Sequence, residues 1–295
     1  MAPAAPRSPA AADRLARAAL VEDRADRDRT TRAVLPRAVR AEGTVLAQRG
    51  GVLSGMAEAR AAARRVGLSV VRAVADGTPV RPGQEVLVVR GDARAILRAE
   101  RTMLNLLMHA SGVASATFRA VRAARGSVPP LAVLATRKTL PGLRDLEKAA
   151  VVHGGGRPHR RDLSDGILVK NNHLALVGLE TAVQRALARA RRGEAVEVEV
   201  RSAAQALRAA RAGASCLLVD NASPATARRI VGALTAAGLR RRVAVELSGG
   251  ITAENLARYR SVGADRVSLG ALTHSAPALP FHLRLRPVGL KRAPP

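Results

Sequence analysis

Aromatic side chains are almost missing from this chain of 295 residues, which has two Phe, one Tyr and no Trp. Proteins that hold single-stranded nucleic acid stack bases on such rings, so their scarcity speaks against that role. Cysteine occurs once, at Cys216. That excludes an intrachain disulfide and a four-thiolate zinc centre, and it fits a reducing compartment, so a cytoplasmic protein is expected. No apolar run approaches the roughly 20 residues needed to span a bilayer, so no membrane association is expected. Arg7, Asp13, Arg14 and Arg17 interrupt the first 20 residues, which argues against a cleavable secretory leader. Acidic residues are outnumbered, 23 against 49 Lys and Arg, leaving a net charge of +26.

What is present begins with that charge. The arginines are spread through every segment, many of them among alanines at helical spacing, where Arg is a good helix former with a solvated head. A nucleic-acid-binding protein remains the alternative from another class. Its affinity would fall steeply with salt, and no specific nucleic acid is expected as a partner. Lysine is scarce in turn. Only Lys138, Lys148, Lys170 and Lys291 occur, and three of them lie between residues 138 and 170. Lys is a compact point charge, whereas Arg is a rigid planar fork. A site that sets a point charge beside phosphate or carboxylate oxygens explains why Lys is kept there.

Hydrophobic residues make up 47% of the chain, enough for a sizeable core. Residues 1–20 read as an arm leading into a short helix. Strands are expected at Thr44–Leu46, Val52–Gly55, Ser69–Val74 and Glu85–Val89, with a helix over Ala57–Val66, giving a small α+β layer. Its turns are like those of lipoyl- or biotin-carrier hairpins, but no lysine precedes residue 138, so nothing could be modified. Asp92 can cap a long helix over Ala93–His109, and Gly112 suggests a break after it.

From residue 131 the pattern becomes regular. Apolar runs at Leu131–Ala135, Ile167–Val169, Val196–Val200, Cys216–Val219, Val243–Leu247 and Arg266–Leu269 read as strands. Helical patterns around 142–152, 178–192, 202–212, 224–237 and 252–262 separate most of them. Strands alternating with helices imply a parallel sheet buried on both faces, and this number of units suggests a closed (β/α) barrel more than an open sheet. No GxGxxG follows the first strand, which argues against a dinucleotide-binding sheet.

Barrel enzymes build their sites from the carboxyl ends of the strands. In order, those ends carry Arg137-Lys138, Lys170-Asn171-Asn172-His173, Glu199, Asp220-Asn221, Ser248-Gly249-Gly250 and Gly270. Any one of them is explained by an ordinary strand-to-loop transition. Six in register are not. Lys138, Lys170 and Arg137 supply cations. Ser248-Gly249-Gly250 and Gly270 sit where phosphate binds in such barrels, with backbone N–H groups and a helix start facing the anion. Glu199 and Asp220 suit sugar hydroxyls or a Mg²⁺ ion shared with phosphates. The inferred ligand is a phosphorylated sugar with further negative charge. His159-Arg160-Arg161, after Gly154-Gly155-Gly156, forms a second basic group able to hold carboxylates.

The strings Glu100-Arg101-Thr102-Met103-Leu104-Asn105, Thr136-Arg137-Lys138-Thr139-Leu140-Pro141-Gly142-Leu143-Arg144 and Gly154-Gly155-Gly156 with His159-Arg160 resemble the quinolinate phosphoribosyltransferase family. So do Leu168-Val169-Lys170-Asn171-Asn172-His173, Val196-Glu197-Val198-Glu199-Val200, Val219-Asp220-Asn221, Leu247-Ser248-Gly249-Gly250-Ile251 and Gly270-Ala271-Leu272-Thr273-His274-Ser275. The likeness is collinear from Glu22-Asp23 to about Leu279.

The resemblance implies an α/β chain with an N-terminal α+β sandwich domain over residues 1–112. An incomplete (β/α) barrel over 113–274 would follow, and a tail over 275–295 returning to the first domain. It implies transfer of phosphoribose from phosphoribosyl pyrophosphate to quinolinate with decarboxylation, yielding nicotinate mononucleotide, with Mg²⁺ and no covalent cofactor. Lys138, Lys170, Glu199 and Asp220 would be catalytic. Arg137, His159, Arg160 and Lys170 would bind the quinolinate carboxylates, with Thr136 beside them. Lys138 and Lys170 would lie near the pyrophosphate, and Glu199 and Asp220 would hold ribose and metal. Ser248, Gly249, Gly250 and Gly270 would hold the 5′-phosphate, with Leu269 and Ala271 also among the substrate-binding residues. Arg101 would reach the site of a neighbouring subunit in a homodimer or larger homo-oligomer. Two departures stand out. Pro158, preceded by Arg157, replaces the Asn often found before the His-Arg pair. The segment Glu22-Asp23 to Asp28-Arg29-Thr30 carries Arg-rich residues where the family usually has Gly. A phosphoribosyltransferase of the same build acting on a different acidic ring is the nearest rival.

Overall fold

The computed structural model describes residues 9–288; the arm before residue 9, Lys291 and the end of the expected tail lie outside the described residues. The chain divides into two compact units. One comprises Met1–Ala116, Asp145–Gly155 and Ala276–Pro295, the other Thr117–Arg144 and Gly156–Ser275. In chain order the elements begin with α1 (Pro9–Glu22), α2 (Arg29–Val34), β1 (Arg40–Ala47), β2 (Gly51–Val52), α3 (Met56–Arg65) and β3 (Ser69–Ala73). β4 (Pro79–Val80), β5 (Glu85–Asp92), α4 (Ala93–Ala123), β6 (Ala132–Leu134), α5 (Arg144–His153) and β7 (Ile167–Val169) follow. Next come α6 (Asn171–Val177), α7 (Leu179–Leu187), β8 (Val196–Val200), α8 (Ala203–Arg211), β9 (Cys216–Asp220) and α9 (Pro224–Ala236). β10 (Ala244–Ser248), β11 (Arg266–Ser268), α10 (Ala271–His274) and β12 (Phe281–Pro287) complete the described chain.

The first unit is built on an antiparallel sheet in the order β12-β1-β5-β3. Val45, Leu87, Val89, Ile96, Met103 and Leu107 are fully buried in its core, where each large side chain removed from water contributes about 1.5–3 kcal/mol. Helix α4 can lie close to the sheet because position 43 is glycine: a Cβ there would sit 2.9 Å from Ile96 Cγ2. Asp92 closes the start of α4, accepting the Arg94 N–H at 3.0 Å and clasping its guanidinium, whose hydrogen bond holds the carboxyl below its usual range.

Two expectations need correction in this unit. The strand expected through Gly55 stops at Val52, because Gly55 takes a left-handed conformation (φ 93°) that turns the chain into α3. The break expected at Gly112 does not occur, and α4 runs on to Ala123. A Cβ at Gly112 would lie 2.4 Å from the Pro277 carbonyl oxygen. That glycine serves the close passage of the returning chain.

The second unit is a six-stranded, all-parallel sheet in the order β6-β11-β10-β9-β8-β7. β6 and β7 are its two edges, so the barrel is incomplete. A short bridge from Leu134 to Arg157 borders the β6 edge. Val196, Val198, Val200, Leu217, Val219, Val245, Leu247 and Val267 are almost wholly buried, as expected for strands covered by helices on one face. The helix expected over 252–262 is absent as an α-helix; only a 3₁₀ turn, Leu256–Tyr259, forms. Asn255 ties this segment to the preceding turn: its Oδ1 accepts the Thr252 N–H at 2.9 Å and its Nδ2 donates to the Gly250 carbonyl at 2.9 Å.

Candidate active site

Strand register brings the expected residues of the second unit onto neighbouring strand ends. Asp220 pairs with Ser248 across β9 and β10, and Val200, just after Glu199, pairs with Val219. Lys170 follows β7, which pairs with β8. Glu199 Oε1 accepts from Asn171 Nδ2 at 2.5 Å, and its Oε2 from the Asn171 N–H at 3.3 Å, so the residue after Lys170 is tied to the end of β8. Arg201, which sequence reading passed over, stands 3.9 Å from Glu199 and 3.3 Å from Asp220 and links the two carboxylates. Its position just past β8 was the only signal available.

Asn221 adopts a left-handed conformation (φ 50°) and donates its N–H to the Ser248 carbonyl at 2.9 Å. Gly249 and Gly250 follow with φ of 86° and 63°, so the chain turns sharply off β10. No α-helix starts after this turn, so the helix start expected there is not formed; after Gly270 a helix does start, but α10 is a single turn. What remains is the glycine turn itself.

Lys138 and Gly270 are in contact. A Cβ on Gly270 would lie 3.0 Å from Lys138 Cδ, and Thr273 Oγ1 donates to the Lys138 carbonyl at 2.7 Å. Thr136 Oγ1 accepts the Lys138 N–H at 3.0 Å. Leu269 donates its N–H to the Leu134 carbonyl at 3.0 Å, and Ala271 opens α10. Lys138 and Lys170 are both exposed.

The basic group at 159–160 turns inward. His159 holds a left-handed backbone (φ 53°), and its side chain is only 10% exposed. Its Nε2 lies 3.2 Å from Glu246 Oε1 and 3.6 Å from Glu197 Oε2. Burial, with the neighbouring Glu246, pushes Glu197 up to about 7. Cys216 Sγ, 3.6 Å from Glu197, is pushed up by the same burial and is no nucleophile. Arg160 donates to the Gly166 carbonyl at 3.3 Å, while burial, and after it the charge of Arg137, hold its guanidinium below its usual value. The Nε atoms of both Arg137 and Arg160 are buried without a hydrogen-bond partner among the described residues. Two guanidinium groups close enough to feel each other's charge, each with an unpartnered donor, suit a carboxylate ligand. Sequence reading missed Glu197 and Glu246; the period-two run Val-Glu-Val-Glu-Val put Glu197 on the same face as Glu199, one pleat deeper. Arg101 is exposed on α4, in the first unit.

An incomplete parallel barrel with cations, carboxylates and a glycine turn at its strand ends places the chain among α/β-barrel proteins with a polar site at that rim, and comparison with known proteins narrows it. The family models for the quinolinate phosphoribosyl transferase N-terminal and C-terminal domains match residues 28–111 and 113–284. The chain belongs to the quinolinate phosphoribosyl transferase family. It is 43% identical over 265 residues to a probable nicotinate-nucleotide pyrophosphorylase (carboxylating) of Methanothermobacter thermautotrophicus, covering 90% of this chain and 94% of that protein. It is 41% identical over 236 residues to the nicotinate-nucleotide pyrophosphorylase (carboxylating) of Homo sapiens, covering 80% and 79%. The crystal structure of NadC from Streptococcus pyogenes is 36% identical, with a TM-score of 0.88 over 97% of this chain and 100% of that one.

Proposed function

We propose that this chain transfers phosphoribose from phosphoribosyl pyrophosphate to quinolinate, releasing pyrophosphate and CO₂ and forming nicotinate mononucleotide in NAD biosynthesis. The observation that carries this reading is the buried, unpartnered donors of Arg137 and Arg160 on the same barrel unit as the Lys138–Gly270 contact, the Asp220–Ser248 strand pair and the Gly249–Asn221 contact. The first suits a dicarboxylate and the second a phosphorylated sugar. Both substrates are polyanions, and fixed cations offset their repulsion.

In this reaction the bond between the anomeric carbon and the pyrophosphate oxygen breaks, and the quinolinate ring nitrogen bonds to that carbon. Positive charge builds on the ribose as the leaving group departs, and Glu199 and Asp220 face it. The pyridinium then takes up the electron pair of the adjacent carboxylate bond as CO₂ leaves, and a solvent proton replaces the carboxyl. Lys138 and Lys170 hold the pyrophosphate and receive its charge. Ser248, Gly249, Gly250, Leu269, Gly270 and Ala271 surround the 5′-phosphate, and Thr136, Arg137, His159 and Arg160 hold the ring. Much of the catalysis is orientation and electrostatics, with no covalent cofactor.

The carboxylates of Glu199 and Asp220 are adjacent, little exposed and accept only from amide or guanidinium groups, a hard-oxygen donor set that fits Mg²⁺. When bound there, the ion would neutralise phosphate charge. Among the described residues no helix is long and apolar enough to cross a membrane. The cytoplasm is the compartment in which such a reaction would use soluble phosphoribosyl pyrophosphate.

The test is release of CO₂ from carboxyl-labelled quinolinate. Release that requires phosphoribosyl pyrophosphate is expected. No release, with turnover of another acidic ring, would transfer the chain to the rival substrate. We also propose that the enzyme is a homodimer or larger, with Arg101 completing a neighbour's site. Arg101→Ala should lose activity alone, and mixing it with Lys138→Ala should restore part of it. Mixtures no better than their parents would show self-contained sites.

A further inference from the structure

We infer that Glu246 is a positioning residue that sets the orientation of His159, and through it the Arg160 receptor for the quinolinate carboxylates. This rests on the functional reading above.

Glu246 lies in the middle of β10 and is wholly buried, yet neither of its carboxylate oxygens has a hydrogen-bond partner among the described residues. A buried carboxylate left so is costly and calls for a reason. Its charged neighbours are His159 Nε2 at 3.2 Å and Arg266 Nε at 3.7 Å. His159 pulls in the same direction. A β-carbon residue at φ 53° is strained, and the surroundings must hold it there. Its Nδ1 accepts the backbone N–H of Arg160 at 2.5 Å. A neutral ring that accepts at Nδ1 carries its proton on Nε2. That nitrogen stands 3.2 Å from Glu246 Oε1 and 3.6 Å from Glu197 Oε2, within ion-pair distance but off the alignment of a hydrogen bond, so Glu246 acts on the ring through its charge. The ring therefore spans from the β10 carboxylate to the backbone that presents Arg160.

His159, Glu197 and Glu246 are also the one group of three such side chains, among the described residues, close enough to share a metal ion. The proton assignment decides against that use. With Nδ1 already accepting, coordination through Nε2 would require an imidazolate. Arg266 already supplies a cation on the far side of Glu246.

Two variants and one spectrum test the inference. Glu246→Leu keeps bulk without an acceptor, and Glu246→Gln restores a neutral one. The first should raise the KM for quinolinate about tenfold, leaving the KM for phosphoribosyl pyrophosphate unchanged, and the second should recover part of the loss. Folded variants in which both KM values move together, or neither moves, overturn the inference. Should the Leu variant fail to fold, the Gln variant is judged by the same split. Nitrogen NMR of the ring, assigned among the six histidines by a His159→Gln variant, should show an Nε2–H tautomer in the native protein and mixed tautomers in Glu246→Gln. A native proton on Nδ1, or identical populations in both, overturns it whether or not the enzyme turns over. Absence of CO₂ release by the native protein overturns the functional reading instead, and the spectrum still judges Glu246.

Discussion

Lys138→Ala and Lys170→Ala should each lower kcat/KM by a factor of about 10², or 2–3 kcal/mol of transition-state stabilisation, the usual loss when one preorganised electrostatic donor is removed. The melting temperature should not fall with them, because both side chains are exposed and neither ammonium is buried in a structural pair. Lys138 gives the sharper test. Its main chain is fixed at both ends, by Thr136 Oγ1 on its N–H and Thr273 Oγ1 on its carbonyl, so truncation removes the charge and leaves the loop in place. Its stem runs against Gly270, which leaves room for a slender chain ending in a point charge. Lys138→Arg should therefore fail to restore activity, since a planar fork on a different stem cannot put one charge at the same place. The check is steady-state kinetics in both substrates beside thermal unfolding. Turnover within about threefold of native in either alanine variant would remove these lysines from the pyrophosphate.

That the barrel could be read from sequence while parts of its site could not follows from what each pattern encodes. Runs such as Cys216–Val219, and Val243–Leu247 apart from Glu246, are apolar because helices cover one face of the sheet and the interior covers the other, so composition marks them as parallel strands. β12 carries no such mark. Phe281–Pro287 alternates apolar and basic residues, with one face exposed, and only its antiparallel register with β1 shows it to be a strand. The rim residues were legible because each ends a strand. Glu197 and Glu246 sit within strands, where a sequence shows an acid at an ordinary alternating position and gives no sign that its partner comes from another strand 49 positions away. His159 was legible as a basic residue beside Arg160, but its inward turn depends on a left-handed backbone that no local pattern announces. Arg201 went unread for the opposite reason: one more arginine in an Arg-rich chain carries no information until two carboxylates are seen beside it.

Gly249→Ala should be among the most damaging single-methyl additions in the second unit. At φ 86° an L-residue is strained, and the new Cβ would lie 2.2 Å from Asn221 Oδ1 and 2.8 Å from the Asn221 backbone nitrogen. The side-chain amide can swing away. The backbone nitrogen cannot, because its N–H is bound to the Ser248 carbonyl and Asn221 is itself left-handed. Relief must come from parting the ends of β9 and β10, which separates Asp220 from Ser248. Strain of this kind costs about 1–3 kcal/mol, which corresponds to a melting temperature lower by several degrees. The KM for phosphoribosyl pyrophosphate should rise at least about tenfold, while that for quinolinate changes less. Gly250 supplies the control. Its φ of 63° is also left-handed, but nothing stands within 4 Å of a Cβ there. Asn tolerates that conformation, so Gly250→Asn should cost within about 1 kcal/mol. If Gly249→Ala and Gly250→Asn lose stability and substrate affinity equally, backbone conformation alone governs this turn. A selective loss at Gly249 identifies the packing of the turn against Asn221 as what holds Asp220 and Ser248 together on the phosphate side of the site.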